Sequence, residues 1–230
     1  GYPPKDLLLH DTFLEQQNKA LDDISHTIKS KRIKISILLG IAEKCIYNNR
    51  PSLFNSVALV NASGWEIVAR KQLLPTYDVF DEKRYFSSGE HKNYIIFKAN
   101  DKHWKIGLTI CEDIWVEENI KKGIMPESDP IEKLRSKNID LLINLSASPF
   151  SQDKDSKRKM LAQKAAKRLN CPVVYLNQVG ANDELIFDGS SFIINQNSEH
   201  IFSLQSFQEE CAVWDTNNYY ISNPGESTDV

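Results

Sequence analysis

Lys105-Ile106-Gly107-Leu108-Thr109-Ile110-Cys111-Glu112-Asp113-Ile114-Trp115 begins as a strand and ends as a chemical site. Ile106, Leu108 and Ile110 alternate with smaller or polar residues, the pattern of a strand with one well-buried face. Cys111 comes where that run stops, and two carboxylates, Glu112 and Asp113, follow at once. The C-terminal ends of strands are where α/β sheets usually keep their chemistry. The plainer alternative is a structural thiol, because free cysteine behaves as a small hydrophobe and is often simply buried. The neighbours even oppose reactivity, since adjacent negative charge disfavours a thiolate. A nucleophilic Cys111 therefore requires a cation from elsewhere in the chain.

Lys71 is the candidate. It ends a strand-like run, Trp65 to Lys71, and opens Lys71-Gln72-Leu73-Leu74-Pro75-Thr76-Tyr77-Asp78-Val79-Phe80-Asp81-Glu82-Lys83-Arg84-Tyr85-Phe86. Pro75 stops the strand and stiffens the loop after it. Four aromatics in one loop, Tyr77, Phe80, Tyr85 and Phe86, fit a segment folded over a pocket or an interface, or rings packed beneath the loop itself. A lysine beside the thiol would lower its pKa and then donate to the oxyanion formed on attack. A third candidate wall is Ser146-Ala147-Ser148-Pro149-Phe150, a hydroxyl-rich turn after the next strand; it reads equally well as a plain turn.

At 230 residues the chain is one large domain or two small ones, with 41% hydrophobic and 26% charged residues, ordinary for a soluble globular protein. A net charge of −3 gives no electrostatic footprint for nucleic acid. The basic run from Lys154 to Lys167 is interleaved with Asp153 and Asp155 and reads as a solvated helix face. Cys45, Cys111, Cys171 and Cys211 are widely spaced, which matches no zinc motif, and reduced thiols in the cytoplasm are the simplest assumption. No apolar run approaches a membrane span and no signal peptide opens the chain, so no membrane association is expected.

Pattern predicts an amphipathic helix over Asp11 to Lys31, then a strand from Ile33 to Gly40. Phe54 to Val60 and Trp65 to Lys71 read as a hairpin turned at Asn61-Ala62-Ser63-Gly64. Tyr94 to Ala99 and His103 to Ile110 read as a second hairpin. Glu117 to Asp129 reads as a polar loop, and Asp129-Pro130 as the cap of a helix ending near Lys137. A strand over Asp140 to Leu145, a loop to Ser156, a helix through Met160, Leu161, Ala165 and Leu169, and a strand over Val173 to Leu176 follow. Ser191 to Asn195 and Ile201 to Leu204 read as a last hairpin, and the chain from Thr216 as a linker or frayed end. Hairpins mixed with strand–helix–strand units point to an α/β sandwich with mixed sheets.

These motifs resemble the carbon–nitrogen hydrolase (nitrilase) superfamily, and within it the glutaminase domains of glutamine-dependent NAD+ synthetases. The resemblance rests on Gly1-Tyr2-Pro3-Pro4-Lys5-Asp6-Leu7-Leu8, on the Lys71 and Cys111 stretches, on Asn144-x-Ser146-x-Ser148-Pro149, and on Asn177-Gln178-Val179-Gly180 leading to Phe187-Asp188-Gly189. It implies an αββα sandwich and a Glu-Lys-Cys triad, with Lys71 as the lysine and Cys111 as the nucleophile. It implies that Tyr2, Tyr77, Phe80, Glu112, Trp115, Ser148 and Lys154 line the glutamine pocket, Glu112 receiving the α-ammonium group. It implies ammonia production from glutamine for ATP-dependent NAD+ synthesis from nicotinate adenine dinucleotide, with no metal or cofactor in this domain and ATP and Mg²⁺ bound by a covalently linked synthetase domain. A homo-oligomer is expected.

The resemblance also marks departures. The family's catalytic glutamate precedes its Gly-Tyr-Pro-Pro, so it falls before Gly1, together with the first strand–helix–strand. Residues 1–215 are then an N-terminally incomplete hydrolase domain, and residues 216–230 the linker or tail, with the synthetase domain absent. Such a chain is expected to be nearly inactive, since general-base help is worth about 10²- to 10⁴-fold. The rival readings are a stand-alone amidase of the same superfamily with another substrate and a non-catalytic assembly domain.

Overall fold

The computed structural model describes residues 2, 4–47, 50–77, 79–90, 92–99, 102–116, 128–216 and 220–222. A 3₁₀ turn, Lys5–Leu9, leads into helix α1 (Asp11–Ser30), whose buried positions Leu14, Leu21 and Ile28 fall at the expected helical spacing. Three antiparallel strands follow in the order β1 (Ile37–Tyr47), β2 (Arg50–Asn61) and β3 (Gly64–Arg70). The β2–β3 turn is the predicted one. Gly64 adopts φ +132°, which only glycine takes without strain.

The second sheet has six strands. β4 (Tyr94–Ala99) and β5 (Lys102–Ile110) form the expected hairpin, and β6 (Leu141–Ser146) and β7 (Val173–Asn177) run parallel to β5. Two short strands, β8 (Val179–Asn182) and β9 (Leu185–Asp188), pair with each other apart from both sheets. β10 (Phe192–Ile194) and β11 (His200–Ser203) complete the large sheet, whose order is β11-β10-β7-β6-β5-β4. Helix α2 (Pro130–Arg135) starts as the sequence predicts, with the Asp129 carboxylate accepting the Glu132 N–H at 3.0 Å and Pro130 in the first turn. Helix α3 (Lys154–Leu169) precedes β7.

Three apolar clusters stack these elements into four layers. Leu21 and Ile28 of α1 pack on Ala58 and Val60, covering the outer face of the small sheet. Val57, Val68 and Ala69 of that sheet meet Ile95, Leu108 and Ile110 of the large one, face to face. The outer face of the large sheet carries Leu142, Val173 and Phe192 against Ile131 of α2 and Leu161 and Ala165 of α3. Each fully buried Leu, Ile or Phe contributes about 1.5–3 kcal/mol. This is the α–β–β–α sandwich that the resemblance implies. Gly107 lets β5 lie close under α2 and the chain that follows it, because a Cβ there would sit 3.2 Å from Leu134 Cδ1 and 2.5 Å from Ile139 Cδ1.

Several boundaries differ from the sequence reading. The strand expected over Ile33 to Gly40 starts at Ile37 and continues to Tyr47, while Ile33 and Ile35 are exposed coil. The helix is closed by Arg32 in the left-handed region and by the Ile33 N–H bonding back to Ile28 O, so the first two isoleucines of the alternation never reach a partner strand. Polar Glu43 and Lys44 continue the strand because partners hold them; Glu43 accepts from Arg70 (2.5 and 2.8 Å) and from Ser56 (2.7 Å) across the sheet, and Lys44 donates to Asp11 of α1 (2.5 Å). Most of the loop predicted from Glu117 lies outside the described residues. Within the predicted tail, β13 (Tyr220–Ser222) pairs with β12 (Val213–Asp215), and the residues after Ser222 lie outside the described ones. No helix among the described residues is long and apolar enough to cross a membrane.

Candidate active site

β5 delivers Cys111 to the edge of the inter-sheet core, where the chain turns at once into a 3₁₀ turn, Cys111–Ile114. Cys111 itself sits at φ +44°, a left-handed conformation that a side-chain-bearing residue adopts only when its surroundings hold it there. Asp113 does the holding. Its carboxylate accepts the N–H groups of Ile110 (3.1 Å), Gln72 (3.0 Å) and Leu73 (2.9 Å). One buried side chain thus closes the turn on β5 and staples the end of β5 to the segment leaving β3. Burial pushes the Asp113 carboxyl up to about 6, against the pull of those N–H donors and of Lys71.

The staple explains why Lys71 and Cys111 meet. Lys71 immediately precedes the two residues that Asp113 grips, and it lines the same cavity as Cys111. Its side chain is 1% exposed, and its Nζ donates to both oxygens of Glu82, at 2.6 and 2.7 Å. Glu82 returns to that point because the aromatic loop doubles back: its N–H bonds to Pro75 O and its carbonyl accepts the Phe86 N–H. The Tyr2 hydroxyl donates to Glu82 Oε1. Burial pulls the Lys71 ammonium down, but Glu82 and the Cys111 sulfur outweigh it and hold the pKa above the ordinary lysine value.

Both opposing influences that the sequence suggests act on the thiol. Burial pushes Cys111 up, Glu112 and Glu82 add to the rise, Lys71 pulls it back, and the net shift is upward. At neutral pH the resting group is a thiol, so attack requires a base to take its proton.

Two cavities open on Cys111. The smaller, about 160 Å³, is lined by Cys111 together with Tyr77, Phe80, Glu112, Trp115, Ser148 and Lys154, all six of which the resemblance assigns to the substrate pocket. Ser151 and Lys157 join them. The Tyr77 hydroxyl donates to Glu112 Oε1 at 2.8 Å, the Phe80 ring meets Tyr77 edge-on at 5.9 Å, and Lys154 Nζ lies 5.8 Å from the Phe80 ring centre. The larger cavity, about 610 Å³, is where Tyr2 lies, with Lys71, Glu82, Ser146 and Asn177. Tyr2 therefore lines the chamber beyond the thiol and not the pocket that holds the other six.

The sequence reading leaves Glu82 without a role, although the structure puts it on Lys71. Asp81, Lys83 and Arg84 surround it with charge, so the local pattern resembles a solvated run. The basic helix face also reads locally as a solvated run, although the resemblance places Lys154 in the pocket. Lys154 and Lys157 border the smaller cavity, and Arg158 is 1% exposed, because the start of α3 lies over the C-terminal ends of the strands.

Two sheets sandwiched by helices, with the Cys111 thiol and the buried Lys71 on one cavity between them, form the arrangement that the resemblance to carbon–nitrogen hydrolases implies. The sequence pattern of the carbon–nitrogen hydrolase family matches residues 25–218, and the chain belongs to that family. It is 40% identical over 216 residues to the glutamine-dependent NAD(+) synthetase of Synechocystis sp., covering 93% of this chain and 38% of that protein. The solved structure of the glutamine-dependent NAD+ synthetase of Acinetobacter baumannii, in complex with adenosine diphosphate, superposes with a TM-score of 0.75 at 32% identity, over 99% of this chain and 39% of that one. A carbon–nitrogen hydrolase of Helicobacter pylori G27 shares the fold, with a TM-score of 0.67 at 21% identity, over 91% of this chain and 69% of that one. The chain thus spans well under half the length of the NAD(+) synthetases it resembles.

Proposed function

We propose that this chain hydrolyses the side-chain amide of glutamine and supplies the ammonia to a linked, ATP- and Mg²⁺-dependent synthetase domain that amidates nicotinate adenine dinucleotide to NAD+. The observation that carries the reading is the smaller cavity. It closes on the Cys111 thiol, with a carboxylate, Glu112, and an ammonium, Lys154, in the same wall. That combination suits the α-ammonium and α-carboxylate of a small amino acid, and directs the side-chain amide towards the sulfur. Similarity to the NAD(+) synthetases supports glutamine as that amino acid.

Cys111 Sγ attacks the amide carbon. Lys71 and a backbone N–H following Cys111 hold the oxyanion, and two of the three ammonium N–H groups of Lys71 are already fixed on Glu82. Ammonia leaves with the proton taken from the thiol, and water then cleaves the glutamyl thioester. Glu82 is committed to Lys71 and Tyr2, and the family resemblance assigns the base to a glutamate ahead of Gly1. Such a base supplies about 10²- to 10⁴-fold in rate.

The test is ammonia release from glutamine by the full-length protein and by its Cys111→Ala variant, with asparagine as the competing amide. Turnover of glutamine that vanishes in the variant is the expected outcome. A folded wild type that leaves glutamine untouched, or a variant that keeps its turnover, overturns the reading.

A further inference from the structure

We infer that Arg158 and Asp188 are positioning residues that hold Ser148 as a hydrogen-bond donor to the substrate, and so set the affinity for an acceptor group such as the α-carboxylate. The inference rests on the amino-acid pocket proposed above.

Ser148 lies in irregular chain between β6 and α3, where a Ser-Pro segment has no sheet or helix to fix it. It is nonetheless 2% exposed, and its polar atoms are gripped from several sides. Its N–H donates to Asn177 Oδ1 at 2.8 Å. Its carbonyl accepts from an Arg158 terminal nitrogen at 2.7 Å and from Asn177 Nδ2 at 3.3 Å. Its hydroxyl oxygen accepts from Arg158 Nε at 3.2 Å. The same terminal nitrogen of Arg158 reaches Pro149 O at 3.1 Å, and the other grips both Asp188 oxygens at 2.8 and 2.9 Å. All five N–H groups of the guanidinium therefore have an acceptor, a rigid fork that lysine cannot reproduce.

The polarity of Ser148 follows from this fork. Arg158 has no acceptor to offer, so the Arg158–Ser148 bond takes a lone pair of the hydroxyl and points its hydrogen away from the guanidinium. Ser148 lines the smaller cavity with the buried Tyr175 hydroxyl beside it, so that hydrogen goes to a ligand there when Tyr175 donates to the remaining lone pair. Ser148 and Lys154 then form the donor side of the pocket and Glu112 the acceptor side. Asp188, itself 4% exposed, balances the buried guanidinium and fixes the angle at which the fork meets the loop.

The experiment uses the full-length protein and measures kcat and KM for glutamine in Arg158→Lys and Asp188→Asn, each alone and in a Ser148→Ala background. Cys111 alkylation by iodoacetamide is followed in every variant. The expected result is a rise in KM of about tenfold for either change alone, the loss of about one hydrogen bond. That rise falls to about twofold or less once Ser148 is alanine, as coupled neighbours require. Alkylation rates stay at the wild-type value. An equal KM rise in both backgrounds, or a fall in kcat and alkylation with KM unchanged, overturns the inference and leaves Arg158 as general support for the fold. A folding failure of one variant leaves the other to decide, and failure of both assigns the pair to the fold and overturns it too. Turnover of glutamine by the unaltered protein tests the proposed activity separately.

Discussion

Lys71–Glu82 and Arg158–Asp188 are equally sealed, each with side chains 1–5% exposed, yet they are satisfied in different ways. Arg158 commits all five of its N–H groups, to Asp188 and to the Ser148-Pro149 loop. Lys71 commits two of three to Glu82, and the third has no partner among the described residues. The first pair is closed and behaves as a brace. The second is left one bond short, facing a cavity that holds a thiol. A buried ion pair is weak evidence of stability in itself, since desolvation offsets much of the attraction. What distinguishes the two is the unfilled donor, which the proposed function assigns to the substrate.

The comparison breaks most directly at Arg158. Replacing it by methionine strands Asp188 without a counter-charge, takes the Arg158 donor from Pro149 O and leaves Ser148 O to Asn177 alone, so urea melts are expected to show a loss of about 3–5 kcal/mol. A loss under 1 kcal/mol would mean that the network is not a brace. Lys71→Met is expected to lower glutamine turnover by about 10²- to 10³-fold, the usual effect of removing one oxyanion donor. Adding Glu82→Gln should recover fold stability lost in the single variant without recovering turnover; recovery of both would make the lysine structural. The smallest effect is on titration. With the Cys111 pKa raised, alkylation at pH 7 should be slow and should climb steadily into the alkaline range, beyond that of an ordinary exposed thiol. Lys71 lowers the Cys111 pKa, so Lys71→Met moves the profile further up, whereas Arg158→Lys leaves it in place. Coincident profiles for the lysine variant and the wild type would separate Lys71 from the thiol.

The parts of this molecule legible in its sequence are those fixed by local pattern. Ile106, Leu108 and Ile110 alternate because one face of β5 is core, and Asn61 to Gly64 carries a turn that the chain makes where expected. The resemblance named Lys71, Cys111 and six pocket residues from long motifs that keep residue types at fixed positions, and the fold sets them around two cavities that share Cys111. What it could not supply is contact made across the fold. Nothing near Asp113 announces that its carboxylate grips Gln72 and Leu73, although this brings the two halves of the site together. Glu82 and Arg158 both stand among exposed charges in sequence and are sealed by segments far away in the chain. The extension of β1 past Gly40 depends on Arg70 and Ser56 reaching Glu43, again a tertiary cause.

The thiol also stands at a doorway between two rooms of unequal size, about 160 and 610 Å³. An acyl group carried on the sulfur would occupy the small room, while the next molecule to reach it would arrive from the large one. On the proposed function, the lifetime of the thioester would depend less on the pocket that selects the substrate than on the traffic in the chamber behind it. Water there completes a hydrolysis, returning ammonia reverses the first step, and a stronger amine would carry the acyl group away.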